Sequence, residues 1–294
     1  MGGLRHRADL EGTMIVDCHV HLNNYHEDTV ETVDARLEEL NRDLRRNRVD
    51  IALILTSYKV TPGRPSTLRV LEAIRSHPHL YAVAGLDYTS FDPRELEALE
   101  PGLQAGKIKG LKLYPGYQPF YPNDPVWIPA YAFAARHRIP VMIHSGDTYT
   151  PTGKLKYAHP LHVDEVAVDH PDVDFVICHV GNPWIRDCME VVYKNANVYT
   201  DISGLVLGDF TDRFETYMRK QLEEMILYGV EPDKVLFGTD WPISSMDSYA
   251  EFLDQLAIPQ RDKKKIMSEN ALRLYRLDPS TGLLAGRRNG GSGS

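Results

Sequence analysis

The sequence predicts an α/β protein built as a single (β/α)8 barrel (TIM barrel) with extra helices at its C-terminal end. Three observations predict it. Apolar strand-like runs alternate with amphipathic stretches along the 294 residues, and the strand starts recur about every 30 residues, so that eight units fill the chain. That count suits a barrel of about 250 residues and leaves no room for a second domain. The first strand is followed by His21-Leu22-Asn23-Asn24 and not by the glycine-rich turn of an open doubly wound sheet.

The elements follow in order. The expected strands cover Met14–Leu22, Val49–Ser57, Leu80–Asp87, Ile108–Pro115, Pro140–Gly146, Asp174–Gly181, Val198–Gly204 and Lys234–Pro242. Many are near-continuous apolar runs, the pattern of parallel strands covered on both faces. Helical periodicity marks Thr29–Arg46, Pro93–Leu103, Trp127–Arg138, Leu161–His170, Trp184–Asn195 and Thr211–Tyr228, with Asp247–Leu256 and Gln260–Tyr275 after the last strand. Asp92-Pro93 and Asn182-Pro183 supply N-cap and first-turn residues for two of them. Residues 1–13 are expected to be a mobile leader, 14–280 the barrel domain and 281–294 a flexible tail. The end of that tail, Gly290-Gly291-Ser292-Gly293-Ser294, has the composition of an appended linker.

Composition excludes several classes of function. Net charge is −8 without a long run of either sign, and Lys263-Lys264-Lys265 is a solvated helix face, so neither nucleic acid nor an anionic membrane is an expected partner. No stretch approaches the roughly 20 apolar residues of a membrane span, and no signal peptide is visible. The three cysteines, Cys18, Cys178 and Cys188, form no CxxC pair, which fits a reducing, cytoplasmic location without disulfides. A small-molecule substrate is expected, and a homodimer is compatible with the sequence.

The chemistry gathers at strand ends. In Asp17-Cys18-His19-Val20-His21, strand alternation sends His19 and His21 to one side and Cys18 to the other. Three later strands also end in a metal-capable residue: His144 in PVMIHSG, His179 in DFVICHVG and Asp240 in KVLFGTDWP. Each taken singly is an ordinary strand-end polar residue. In a barrel, all five converge on one mouth, and imidazoles with a carboxylate form a donor set for Zn2+ or a similar borderline ion, Mn2+ and Fe2+ included. Alternation turns Cys18 and Cys178 away from the neighbouring histidines, so both are expected to be core residues.

The set DCHVH, IKGLKLYPG, PVMIHSGDT, FVICHVG and FGTDWP resembles the amidohydrolase superfamily, from Met14 to about Leu277, including the closing helix Ser268-Glu269-Asn270-Ala271-Leu272-Arg273-Leu274. It is most similar to the branch of metal-dependent TIM-barrel hydrolases that also contains aminocarboxymuconate-semialdehyde and resorcylate decarboxylases. The resemblance implies that His19, His21, His144 and Asp240 ligate a catalytic metal. It makes His179 either an acid/base residue or a ligand of a second metal. Lys112 in Gly110-Leu111-Lys112-Leu113 sits where two-metal relatives carry a carboxylated lysine that bridges the ions; one ion is favoured here, with Lys112 facing substrate or Asp240.

The expected activity is hydrolysis of a small amide, ester or lactone by a metal-activated water, with Asp240 and His179 moving protons. The alternative is non-oxidative decarboxylation, or hydration, of a small aromatic or unsaturated carboxylic acid. A non-catalytic metal-binding protein is the remote third reading. Tyr114, Tyr117, Tyr149, Trp184 and Trp241 are expected to wall the substrate pocket, and Lys59, Arg64, Lys154 and Lys156 are the nearby cations.

Overall fold

The computed structural model describes residues 12–25 and 32–284. Eight parallel strands run in sequence order: β1 Val16–Val20, β2 Ile51–Leu55, β3 Leu80–Gly85, β4 Ile108–Leu113, β5 Val141–Ile143, β6 Phe175–Ile177, β7 Val198–Asp201 and β8 Val235–Leu236. Each pairs with the next. The helices between and after them are α1 Val33–Asn47, α2 Thr67–Ala73, α3 Glu100–Gln104, α4 Ile128–His137, α5 Leu161–Asp169, α6 Ile185–Lys194, α7 Asp212–Tyr228 and α8 Met246–Asp254, with α9 Gln260–Lys264 and α10 Asn270–Leu274 joined by a π-type stretch.

Sequence chemistry accounts for most helix ends. Thr32 caps α1 by accepting from the Ala35 N–H, and Leu37, Leu40 and Leu44 recur at helical spacing on its buried face. Asp92 caps as expected, with Pro93 at the first position, but the helix it starts is a 3-10 turn, Pro93–Leu99, that runs into α3. Asn182 does not cap α6, which begins at Ile185 without a side-chain cap. Helix α2 was not anticipated; Ser66, accepting from the Arg69 N–H, starts it. Residues 29–31 of the first expected helix lie outside the described residues, as do 1–11 of the leader and 285–294 of the tail. The tail's first residues are held down: the Leu283 N–H donates to the Asp50 carbonyl at 2.8 Å, and the Tyr81 and Thr281 hydroxyls are 2.9 Å apart.

Two apolar layers result. Outside the strands, Ile54, Leu111, Ile143 and Ile177 pack against the helices. Inside, Val16, Leu53, Val83, Met142 and Val176 meet Leu274 and Leu277, so the closing segment plugs one end of the barrel and leaves the strands' carboxyl ends as the mouth. No helix among the described residues is long and apolar enough to cross a membrane.

The strands are shorter than the apolar runs because the chain leaves the ladder early at the mouth. This matters most at the seam between β1 and the residues after β8. There the Cys18 N–H donates to the Phe237 carbonyl at 3.0 Å, the Asp240 N–H to His19 at 2.8 Å and the His21 N–H to Trp241 at 2.8 Å. The buried Asp17 carboxylate locks the seam, accepting from the Thr239 hydroxyl at 2.6 Å and from the Thr239 N–H at 3.1 Å. Thr239→Val keeps the shape and removes that hydroxyl. It is expected to destabilise the fold by about 1–3 kcal/mol, because a buried carboxylate loses a donor. Thermal denaturation measures this; an unchanged midpoint would show that backbone bonds alone hold the seam.

Candidate metal centre

His19 lies at the end of β1 and His21 just beyond it. Both present Nε2 to one oxygen, Oδ1 of Asp240, at 3.6 Å and 3.0 Å. Asp240 follows β8 with its backbone in the left-handed region, φ 68°. The ligand-capable atoms of these three residues lie within 4.8 Å of one another.

The tautomers are set from behind. His21 Nδ1 is 2.8 Å from the Leu55 carbonyl, which can only accept, so Nδ1 carries the proton and Nε2 of the neutral ring carries a lone pair. His19 Nδ1 is 2.9 Å from Asp201 Oδ2, and burial pushes this imidazole down to about 4, so its Nε2 also presents a lone pair. Asp240 Oδ1 is buried with no hydrogen-bond partner although His21 Nε2 stands nearby. Burial opposes charge on Asp240, but the histidines around it, His21 first, hold its carboxyl well below the ordinary range. Two imidazole lone pairs and a carboxylate oxygen face each other without a proton to share. A divalent cation satisfies all three, and the donor set fits one.

Asp201, at the end of β7, organises the site. It is fully buried; besides His19 it accepts from the His179 N–H at 2.9 Å, the Ser203 N–H at 3.0 Å and the Ser203 hydroxyl. Burial would raise its carboxyl, but His19, facing and donating to it, holds it well below the usual range. Carboxylate–imidazole pairs of this kind orient metal-ligating histidines. Neither Asp201 nor Ser203 was singled out in the sequence, although VYTDIS shows a strand-end acid by the same criterion that found Asp240.

His179 and Val180 both adopt left-handed backbone, φ 61° and 45°. These turns bring His179 to the mouth; Cys178, before them, follows Val176 on the inner side of β6 and is a buried core residue as expected, though it is not turned away from the site. Its thiol points inward, within 4.8 Å of ligand-capable atoms of His19 and Asp201. Burial raises the thiol strongly, with the lysine charge opposing. Cys18 packs in the same interior cluster, a buried core residue as expected. The His179 ring lies 4.9 Å from that of His19, and its Nδ1 is 2.9 Å from the Ser203 carbonyl, leaving Nε2 unengaged among the described residues. Gly204 makes room for it: a Cβ there would stand 2.6 Å from His179 Nδ1 and 2.9 Å from Asp240 Oδ2.

The other expected residues divide. His144 lies beside His179, ring centroids 5.1 Å apart, with Nε2 donating to the Asp147 carbonyl at 2.9 Å; among the described residues it is not in the three-residue cluster. Lys112 is buried with Nζ 2.6 Å from Cys178 Sγ; its partner is the thiol and not Asp240. Tyr117 packs its ring 4.7 Å from His144, and Tyr114, beside Tyr58 at 5.1 Å, donates its hydroxyl to the Thr56 carbonyl. Tyr149 is 64% exposed and meets the site only through its N–H, donated to the Tyr117 hydroxyl. Trp184 packs on His159, at 4.7 Å. Trp241 is a correction: its side chain turns away from the mouth instead of walling the pocket. The indole donates outward to Asp43 on α1, beneath the Arg36 guanidinium. Lys59, Lys154 and Lys156 are exposed; Arg64 is half-buried.

A family model described as amidohydrolase matches residues 16–277. The chain belongs to the amidohydrolase family. A gamma-resorcylate decarboxylase from Rhodococcus jostii is 24% identical over 192 residues, 55% of this chain and 58% of that protein, so the chain spans little more than half the length of this curated relative. Among solved structures, an uncharacterised TIM-barrel protein from Bordetella bronchiseptica superposes with a TM-score of 0.70 at 21% identity, over 90% of this chain and 99% of that one. A dihydroxybenzoic acid decarboxylase from Polaromonas with bound manganese and the inhibitor 2-nitroresorcinol gives 0.62 at 16% identity, over 90% and 97%.

In this amidohydrolase, His21→Ala is expected to abolish metal retention, and Asp201→Asn to weaken it about 10- to 100-fold by loosening His19. Elemental analysis after dialysis against a graded chelator measures both; full occupancy in His21→Ala would remove the centre. Gly204→Ala combines positive φ (62°) with a clash against His179 and Asp240. A displacement of about 1 Å is expected to lower turnover on the order of 100-fold, and wild-type activity would show that both side chains have slack.

Proposed function

We propose that this amidohydrolase is a metal-dependent decarboxylase that removes CO2, without oxidation, from a small aromatic carboxylic acid. The observation that carries the reading is the buried meeting of His19 Nε2, His21 Nε2 and Asp240 Oδ1, three lone-pair donors with no proton between them. The relative from Rhodococcus jostii, a gamma-resorcylate decarboxylase, supports decarboxylation ahead of the hydrolysis that the sequence put first.

A divalent ion held by His19, His21 and Asp240 supplies Lewis-acid polarisation of a substrate oxygen. The donor set suits zinc; manganese, as in the Polaromonas enzyme, is the alternative. His144 Nδ1, the ring nitrogen not spent on Asp147, is the proposed fourth donor. We place one ion here, since Lys112 Nζ is engaged by Cys178.

The protein's own residues handle the proton. His179 is locked at Nδ1 by the Ser203 carbonyl, so Nε2 is its exchanging atom. Burial first, against the pull of Asp240, lowers this imidazole, so its protonated form is a strong acid suited to protonating carbon. The proton goes from Nε2 to the ring carbon bearing the carboxylate. The electron pair of the breaking carbon–carbon bond then returns to the ring as CO2 leaves. Tyr117, against His144, gives that ring an aromatic wall. The same donors serve hydrolysis of an amide, ester or lactone, which stands second.

CO2 release from a panel of hydroxylated benzoates, run beside a panel of lactones and amides, tests the reading. Decarboxylation with one metal equivalent per chain is the expected result; lactone or amide turnover without CO2 release would reverse the order. His179→Asn is expected to keep the metal and lose about 10²- to 10⁴-fold in kcat. A metal equivalent lost in that variant would instead make His179 a ligand.

A further inference from the structure

Beside the metal centre, the mouth holds hydrogen-bond donors whose protons are unspent. Arg64 sits on a tight turn in which Thr61 and Arg64 exchange backbone bonds at 3.1 and 3.0 Å, and the Asn24 N–H donates to the Gly63 carbonyl at 2.7 Å. The loop after β2 is thereby fastened to the loop after β1, which carries Tyr25. The Arg64 guanidinium makes one long bond, from Nη1 to the Ser57 hydroxyl at 3.4 Å, and no described carboxylate is paired with it. It lies 6.0 Å from the Tyr58 ring, Tyr58 lies 6.4 Å from Tyr117, and Tyr117 lies 4.7 Å from His144, so a chain of rings links the guanidinium to the catalytic histidines.

Two phenols share the surplus. The Tyr25 hydroxyl accepts from Asn23 Nδ2 at 3.1 Å, and the Tyr117 hydroxyl accepts from the Tyr149 N–H at 2.9 Å. Each keeps its own proton, with no acceptor among the described residues. Burial raises the Tyr25 phenol first and the Asp240 charge next, while Arg64 opposes them, which puts all three groups in one electrostatic neighbourhood. A half-buried guanidinium with free N–H groups, flanked by two hydroxyl donors, is matched by a carboxylate, the group that takes bidentate arginine.

We propose that Arg64, Tyr25 and Tyr117 form a subsite for a second carboxylate of the substrate, beside the metal centre. The substrate is then an aromatic dicarboxylate whose two charges are shared between Arg64 and the ion. The inference deepens the decarboxylase reading and rests on it for the metal centre.

Calorimetric binding of isophthalate and of benzoate to the purified enzyme tests the subsite without turnover. Isophthalate is expected to bind the wild type more tightly than benzoate does. Arg64→Gln should weaken isophthalate about 10- to 100-fold, with Arg64→Lys intermediate and benzoate little changed. Tyr25→Phe and Tyr117→Phe should each cost about 3- to 10-fold. Equal metal content in every variant, by elemental analysis, is expected, since none of these residues is a metal ligand in this reading. Isophthalate bound equally by wild type and Arg64→Gln, or no more tightly than benzoate, overturns the subsite. Arg64-dependent isophthalate binding in an enzyme that releases no CO2 from any substrate would leave the subsite standing and remove the decarboxylase reading; CO2 release unaffected by Arg64→Gln would do the reverse.

Discussion

The Asp201 carboxylate is the interaction on which the rest of the site depends. It is wholly buried and survives as an anion because four groups donate to it: the His19 ring, the His179 backbone, and the Ser203 N–H and hydroxyl. A charge removed from water costs several kcal/mol unless it is met by such donors. Here the donors that satisfy it are the parts that need placing. The same bonds that stabilise Asp201 aim His19 Nε2 at Asp240 and fix where the chain turns at His179.

The mouth is also where the backbone departs from unstrained geometry. His179, Val180 and Asp240 all have positive φ, and for a β-branched residue such as Val180 this is a costly conformation. Strain of this kind persists only where surrounding bonds determine it, and it concentrates at functional sites. In this chain it directs side chains. Left-handed turns after β6 and β8 carry His179 and Asp240 to the mouth, and leave Cys178 inside the barrel and Trp241 against α1. Gly204, with no Cβ, leaves the space that these two residues occupy.

Electrostatics explains why the centre suits a metal ion better than a set of ordinary ion pairs. Desolvation favours the neutral forms of His19, His144 and His179, while Asp240 stays ionised among them. Neutral imidazole and anionic carboxylate are the forms that ligate. With the histidine Nδ1 protons committed to Leu55 and Asp201, the facing atoms of His19, His21 and Asp240 have nothing but a cation to share. The buried Lys112–Cys178 contact lies beside this centre and shows how closely the barrel interior and the site adjoin.

The sequence by itself determined the architecture and named the residues that meet at the candidate metal centre. Strand periodicity, unit length and the strand-end positions of His19, His21 and Asp240 are local properties, and a closed barrel brings strand ends together whatever lies between them. Helix α2 escaped because it is a short helix whose pattern is weak, and Asp201 because one acid in VYTDIS looks like any strand-end carboxylate until its four donors are in place. Tertiary structure alone decided the directions of side chains beyond the last ladder bond. Alternation ends where the strand ends, and left-handed residues at 179, 180 and 240 reset it. That is why Trp241 could be located in sequence but not oriented, and why the loop-borne donors Tyr25 and Arg64 came together only through contacts between separate loops.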